Sequence, residues 1–171
     1  FHCWKRAGHG RVDMVEAISQ SCDVYFYDLA QRVGIENISA MARRLGCGVR
    51  HDLPLSGIAE GLAPTMQWKR QYRGAEWVVG DTLNASIGQG FVLASPLQLA
   101  VMTARLATGR DVSPSLVRSV DGVRQGPGEA ADLGIAADHL ALMQRAMFRV
   151  NNDRRGTAFG SRVMDAAYAV A

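Results

Sequence analysis

A run of apolar residues at helical spacing, Val24, Phe26, Tyr27, Leu29, Ala30 and Val33, starts directly after the trio Ser21-Cys22-Asp23 and stops at Gly34. The pattern predicts an amphipathic helix, mostly buried, with Ser21 as its N-cap. A helix start carries unpaired N–H groups and partial positive charge. If that end opens onto a cleft, a hydroxyl, a thiol and a carboxylate side by side can meet an anionic or peptide-like ligand. Taken alone, the trio is also what an ordinary capping serine looks like.

The flanking segments read mainly as further helices. Asp13 and Glu16 fit a capping box that opens a short helix running into Ser21. After Gly34, Ile35, Ile38, Met41, Ala42 and Leu45 share one face and Glu36, Arg43 and Arg44 the other, with Gly46 as the stop. Residues 47–63 read as loop, and Thr65 caps a short helix over MQWKRQY whose Trp68 should anchor against the core. In GDTLNASIGQG, residues 80–90, three glycines bracket Thr82, Asn84 and Ser86 and predict close turns beside another element. No Lys-Ser or Lys-Thr pair follows them, so this is not a phosphate-binding loop. Ser95, Pro96 and Gln98 then supply a cap, a first-turn proline and a capping glutamine for a helix to about Thr108. Apolar nearly all round, it should be the central buried helix. SPSLVRSV is β-like and leads into a surface turn, DGVRQGPGEA. A last helix is predicted over Asp138 to Val150, a loop over Arg154 to Ala158, and the start of a strand at AAYAVA. The expected class is mainly α with few strands.

Seventeen arginines and two lysines are spread along the chain and leave a net charge of only +3. Without a basic stripe or patch, nucleic acid is a poor partner. No apolar run of about 18 residues is present to span a membrane. The opening FHCWKRAGHG and the closing DAAYAVA read as though cut from a longer chain, so part of an active site is expected to lie elsewhere. Cys3, His9 and Cys22 fall at spacing C-x5-H-x12-C. Thiolate and imidazole are preferred zinc ligands, and a structural zinc needs a fourth, for which Asp13, Asp23 or Cys47 could stand in. A Cys3–Cys22 disulfide and separate buried thiols remain open beside the metal reading.

Ser21-Cys22-Asp23 heading an aromatic helix, the GDTLNASIGQG segment, the SPLQLA helix and the late Gly156-Thr157-Ala158 together resemble one family. It is the transpeptidase domain of class B penicillin-binding proteins, in particular the elongation type, the penicillin-binding protein 2 group. The resemblance runs along essentially the whole chain in the expected order. It implies the α-rich part of the α/β serine penicillin-recognising fold, shared with β-lactamases, in which three motifs line a cleft: Ser-x-x-Lys, Ser-x-Asn or Ser-x-Asp, and Lys-Thr-Gly or Lys-Ser-Gly. Only the second is present, since no serine here has a lysine three residues on and neither Lys5 nor Lys69 begins the third.

By that resemblance Ser21 relays a proton, and Asp23, which stands where many relatives have asparagine, orients the network or contacts the substrate peptide. The implied reaction is acyl transfer from the D-Ala-D-Ala end of a peptidoglycan stem peptide, a step that β-lactams intercept, with no cofactor required. Other implied partners are a membrane glycosyltransferase of the elongation machinery and, for the whole protein, an inner-membrane anchor holding it in the periplasm. The resemblance also places His9 and Cys22 on the metal-ligand positions of some members, with Cys3 where relatives have aspartate and a further ligand upstream of Phe1. A non-catalytic β-lactam sensor and a β-lactamase are the competing uses of such a fold.

Overall fold

The computed structural model describes residues 1–126 and 128–162, so the expected strand at AAYAVA lies outside the described residues. Among the described residues seven α-helices are formed: α1 (Met14–Ser19), α2 (Asp23–Val33), α3 (Ile35–Arg44), α4 (Met66–Arg73), α5 (Val79–Ser86), α6 (Pro96–Thr108) and α7 (Ala137–Asn152). A two-residue antiparallel hairpin, β1 (Ser119–Val120) with β2 (Val123–Arg124), precedes α7 and pairs Ser119 with Arg124 and Val120 with Val123. Its turn is Asp121-Gly122, both at positive φ (48° and 78°), the geometry a tight hairpin requires. Only the end of the β-like SPSLVRSV is therefore strand.

Local cap chemistry is realised where it was strongest. Asp13 accepts from the Glu16 N–H at 2.8 Å and Glu16 returns a bond to the Asp13 N–H. Ser95 and Gln98 exchange the same pair of bonds at the start of α6, and Thr65 accepts from the Trp68 N–H at 3.0 Å. Trp68 is half-buried, stacks with Tyr72 and meets Phe91 at a tilt of 58°.

Three expectations fail, in whole or in part. Residues 80–86 are not turns but the body of α5, because Thr82, Leu83 and Ala85 are buried and their packing overrides the poor propensity of Gly80, Asp81 and Asn84, and the expected close turns are confined to residues 87–90. Lys69 braces the start of this helix: its ammonium lies 2.6 Å from Asp81 with both side chains nearly buried, and Asp81 also accepts from the Val78 N–H.

Nor is α6 a central apolar helix, since Leu99 is 47% exposed while Gln98 is fully buried and Arg105 nearly so. The buried face of α6 organises loops. The Gln98 carboxamide donates to the Val49 and Glu60 carbonyls at 2.8 and 2.6 Å. The Arg105 guanidinium donates to the Arg44 and Val112 carbonyls and pairs with Asp111. Each buried polar group meets partners that water would otherwise supply.

Around the trio, α2 packs on α5 and on α1, and α1 lies along α7. The helix α2 is also less buried than its periodicity implied. Ala30 is its only fully buried residue, and Val24 is 50% exposed. Phe26, Leu29 and Val33 instead face an apolar groove of about 410 Å³ with Ile38 and Met41 of α3, which no described element covers.

Candidate active-site cleft and metal cluster

Ser21 does not cap α2. It closes α1, in the left-handed region at φ 52°. Its N–H donates to the Ile18 carbonyl at 3.2 Å, and the Cys22 N–H reaches back to the Ala17 carbonyl at 2.8 Å. These are the paired bonds of a Schellman motif, with Ser21 at the position that glycine normally takes. The same pairs end α3 through Gly46 and α5 through Gly88. Cys22 is left as the N-cap of α2 with extended backbone and no side-chain capping bond. Buried Cys3, Ala17 and Cys22 pack together under the turn, with Val12, Tyr25 and Phe26 against them. The turn thus rests on a small apolar base while Ser21 itself is exposed.

Ser21 and Asp23 line one cleft of about 280 Å³ with Ile18, Phe26, Ser86 and Ile87. The last two end α5 and lead into Gly88-Gln89-Gly90. The Gln89 N–H donates to the Asn84 carbonyl at 2.9 Å, and a Cβ on Gly90 would come 3.1 Å from that of Asn84. Packing of α2 on α5 therefore joins the two segments on which the family resemblance mainly rests. Ser86 escaped notice in the sequence because it looked like one more small polar residue between glycines. Tyr27, one turn into α2, has its phenol pushed above the usual range by partial burial, and then by the charges of Asp23 and Cys3.

Trp4 was also missed, and it holds the trio directly. Its backbone N–H donates to Asp23 Oδ2 at 3.1 Å, and its indole N–H donates to the Ser21 carbonyl at 2.8 Å, with the Gln20 carbonyl at 3.3 Å. Nothing in the local pattern FHCWKR signals a contact seventeen residues away.

Behind the turn, one ligand atom from each of Cys3, His9 and Cys22 lies within 4.8 Å of the other two, and Cys3 Sγ is 3.4 Å from His9 Nδ1. A tetrahedral zinc, with bonds of roughly 2.0 to 2.3 Å, holds its donors about 3.5 to 3.8 Å apart, so the donor set and spacing fit that ion with small side-chain adjustments. The stand-in fourth ligands are engaged elsewhere. Asp13 caps α1, Asp23 takes the Trp4 N–H, and Cys47 faces the Met102 sulfur at 3.9 Å, its thiol pushed up by burial. Cys3 and Cys22 are both free thiols.

Residues 1–171 match the family described as the penicillin binding protein transpeptidase domain. A peptidoglycan D,D-transpeptidase MrdA from Acinetobacter baumannii is 38% identical over 95% of this chain and 25% of its own length. A second protein of that name, from Haemophilus influenzae, is 34% identical over 100% of this chain and 27% of its own. The chain thus spans about a quarter of the length of these curated relatives. Among solved structures, the complex of penicillin-binding protein PBP2 with MreC from Helicobacter pylori superposes with a TM-score of 0.86 at 32% identity, over 99% of this chain and 31% of that one. PBP2 of Pseudomonas aeruginosa gives a TM-score of 0.82 at 38% identity, over 94% and 36%. The helices described above are the α-rich part of the penicillin-recognising fold of those structures. With a family match along its whole length and the Ser21-Asp23 cleft formed between α2 and α5, this chain belongs to the penicillin-binding protein transpeptidase domain family.

Proposed function

We propose that the chain is the middle of the catalytic domain of an elongation-type peptidoglycan D,D-transpeptidase, and that it supplies the Ser-x-Asp motif of the active site. The observation that carries this is the shared cleft of Ser21, Asp23 and Ser86 beside the Gly88–Gly90 turn. The nucleophilic serine with its lysine, and the Lys-Thr-Gly strand, belong to flanking parts of the protein. The uncovered groove of Phe26, Leu29 and Met41 shares Phe26 and Ser86 with the cleft, so the rest of the domain closes over both together.

In this reading a serine oxygen attacks the carbonyl of the D-Ala-D-Ala bond of a stem peptide. Its proton passes through the lysine and the Ser21 hydroxyl to the nitrogen of the departing D-alanine as the C–N bond breaks. An amine of a neighbouring peptide then attacks the acyl-enzyme, and the cross-link forms as the serine is released. Asp23 accepts the Trp4 N–H and cannot itself donate while ionised, so its part is to orient the motif through acceptor bonds. The chemistry needs no cofactor. A membrane glycosyltransferase supplying the glycan, and a periplasmic site on an inner-membrane anchor, complete the proposal for the whole protein. The full-length protein is expected to be labelled durably by a fluorescent penicillin and to turn over a chromogenic β-lactam only slowly. Rapid turnover would make it a β-lactamase instead.

Cys3, His9 and Cys22 are proposed to hold a structural zinc, with a fourth ligand from upstream. Bound there, the ion would cross-link the Cys3–His9 arm to the start of α2. We expect elemental analysis of the full-length protein to find near-stoichiometric zinc. Its removal by a strong chelator is expected to destabilise the domain by roughly 4 kcal/mol at ion concentrations about a thousandfold above Kd. A metal-free protein with one titratable thiol would establish the Cys3–Cys22 disulfide in its place.

A further inference from the structure

Resting on the reading of Ser21 as the relay serine, we infer that Trp4 is a positioning residue for acyl transfer. A tryptophan held for its bulk is normally well buried, yet Trp4 is 61% exposed. What fixes it is a set of directed contacts. Its main-chain N–H goes to Asp23 Oδ2 and its indole N–H to the Ser21 carbonyl, and its ring meets His9 edge-on with centroids 5.6 Å apart.

One residue therefore bonds to both ends of the Ser-x-Asp trio. These bonds bear on the feature of the trio that is hardest to maintain, the left-handed backbone of a non-glycine residue. The Ser21 carbonyl takes the indole N–H with Ser21 in the left-handed conformation, so the bond adds stability to that conformation and with it to the aim of the Ser21 hydroxyl. The Trp4 amide in turn occupies one lone pair of Asp23 and sets the rotation of its carboxylate. Because Trp4 follows Cys3 directly and touches His9, the thiol and imidazole cluster and the relay turn are joined through this residue.

The test is Trp4→Phe in the full-length protein, with penicillin acylation resolved into the non-covalent dissociation constant and the first-order acylation rate. An aromatic ring and the main-chain N–H survive, while the indole donor goes together with the pyrrole half of the ring system, a loss of bulk that benzothienylalanine at the same position avoids. The acylation rate is expected to fall about fivefold to tenfold. The dissociation constant should stay within about twofold, with zinc content and melting temperature at wild-type values. An unchanged acylation rate overturns the inference. So does a fall matched by lost zinc or a lowered melting temperature, because Trp4 would then only support the fold. Should Trp4→Phe not fold, benzothienylalanine at the same position removes the N–H at constant shape and is judged by the same criteria. Ser21→Ala in the same assay separates the two layers. Wild-type acylation in Ser21→Ala defeats the functional reading and this inference with it, whereas a slow Ser21→Ala beside an unaltered Trp4→Phe defeats the inference alone.

Discussion

Ser21→Gly in the full-length protein is expected to be more stable than wild type and nearly unable to acylate. The two effects have one cause. Ser21 occupies the terminating position of a Schellman motif at φ 52°, where the structure uses Gly46 and Gly88 at the ends of α3 and α5. A non-glycine residue in that region costs roughly 1–2 kcal/mol. Glycine removes that strain but brings back roughly 0.5–1 kcal/mol of unfolded-state entropy. The net gain should be up to roughly 1.5 kcal/mol, visible as a raised melting temperature. Losing the hydroxyl takes away the proposed proton relay, which should cost a factor of about 10² to 10⁴ in the acylation rate with a fluorescent penicillin. Ser21→Ala is the control, because it loses the hydroxyl and keeps the strain, and it should show the rate loss without the stabilisation. Destabilisation by Ser21→Gly would mean that the turn is not held as described.

The second large effect is expected at Gly156, where the reason for glycine is space. A Cβ there would run into the carbonyls of Arg149 and Val150 at the end of α7, with the Val150 carbonyl carbon at 2.8 Å. These are backbone atoms of a helix and cannot turn aside as a side chain could. The loop that Gly156 allows is tied to the end of α1, next to the Ser21 turn. The Thr157 N–H donates to the Ser19 carbonyl at 3.1 Å, and Arg155 pairs with Glu16 at 3.2 Å. Gly156→Ala should therefore destabilise the domain by roughly 3 kcal/mol or more, and slow acylation as the end of α1 loses its brace. Denaturant unfolding of the variant checks this. A midpoint equal to wild type would show that the loop moves aside without cost.

What could be read from the sequence was what short-range chemistry decides. Asp13 with Glu16, Ser95 with Gln98, and Thr65 each announce a helix start because the capping side chain and its partner N–H lie within one turn of each other. The spacing of Cys3, His9 and Cys22 leaves a zinc cluster, a Cys3–Cys22 disulfide and separate thiols open, and the fold brings one ligand atom of each within 4.8 Å of the others. What stayed hidden depended on distance or on backbone conformation. A serine before an apolar run looks the same whether it caps the next helix or closes the previous one, and only the bonds to Ile18 and Ala17 distinguish the two. The helical state of GDTLNAS comes from burial of Thr82, Leu83 and Ala85, which its own propensities oppose. The exposure of Leu99 and Val24 could not be foreseen, because periodicity tells which residues share a face and not what covers that face.

The account turns on Ser21 being a relay serine and not the nucleophile. The most direct test is to acylate the full-length protein with penicillin, digest it, and locate the adduct by mass spectrometry. The adduct is expected on a serine followed three residues later by lysine, and therefore on no peptide from residues 1–171, where no serine has that neighbour. An adduct on Ser21, or on any other serine of these residues, would contradict it.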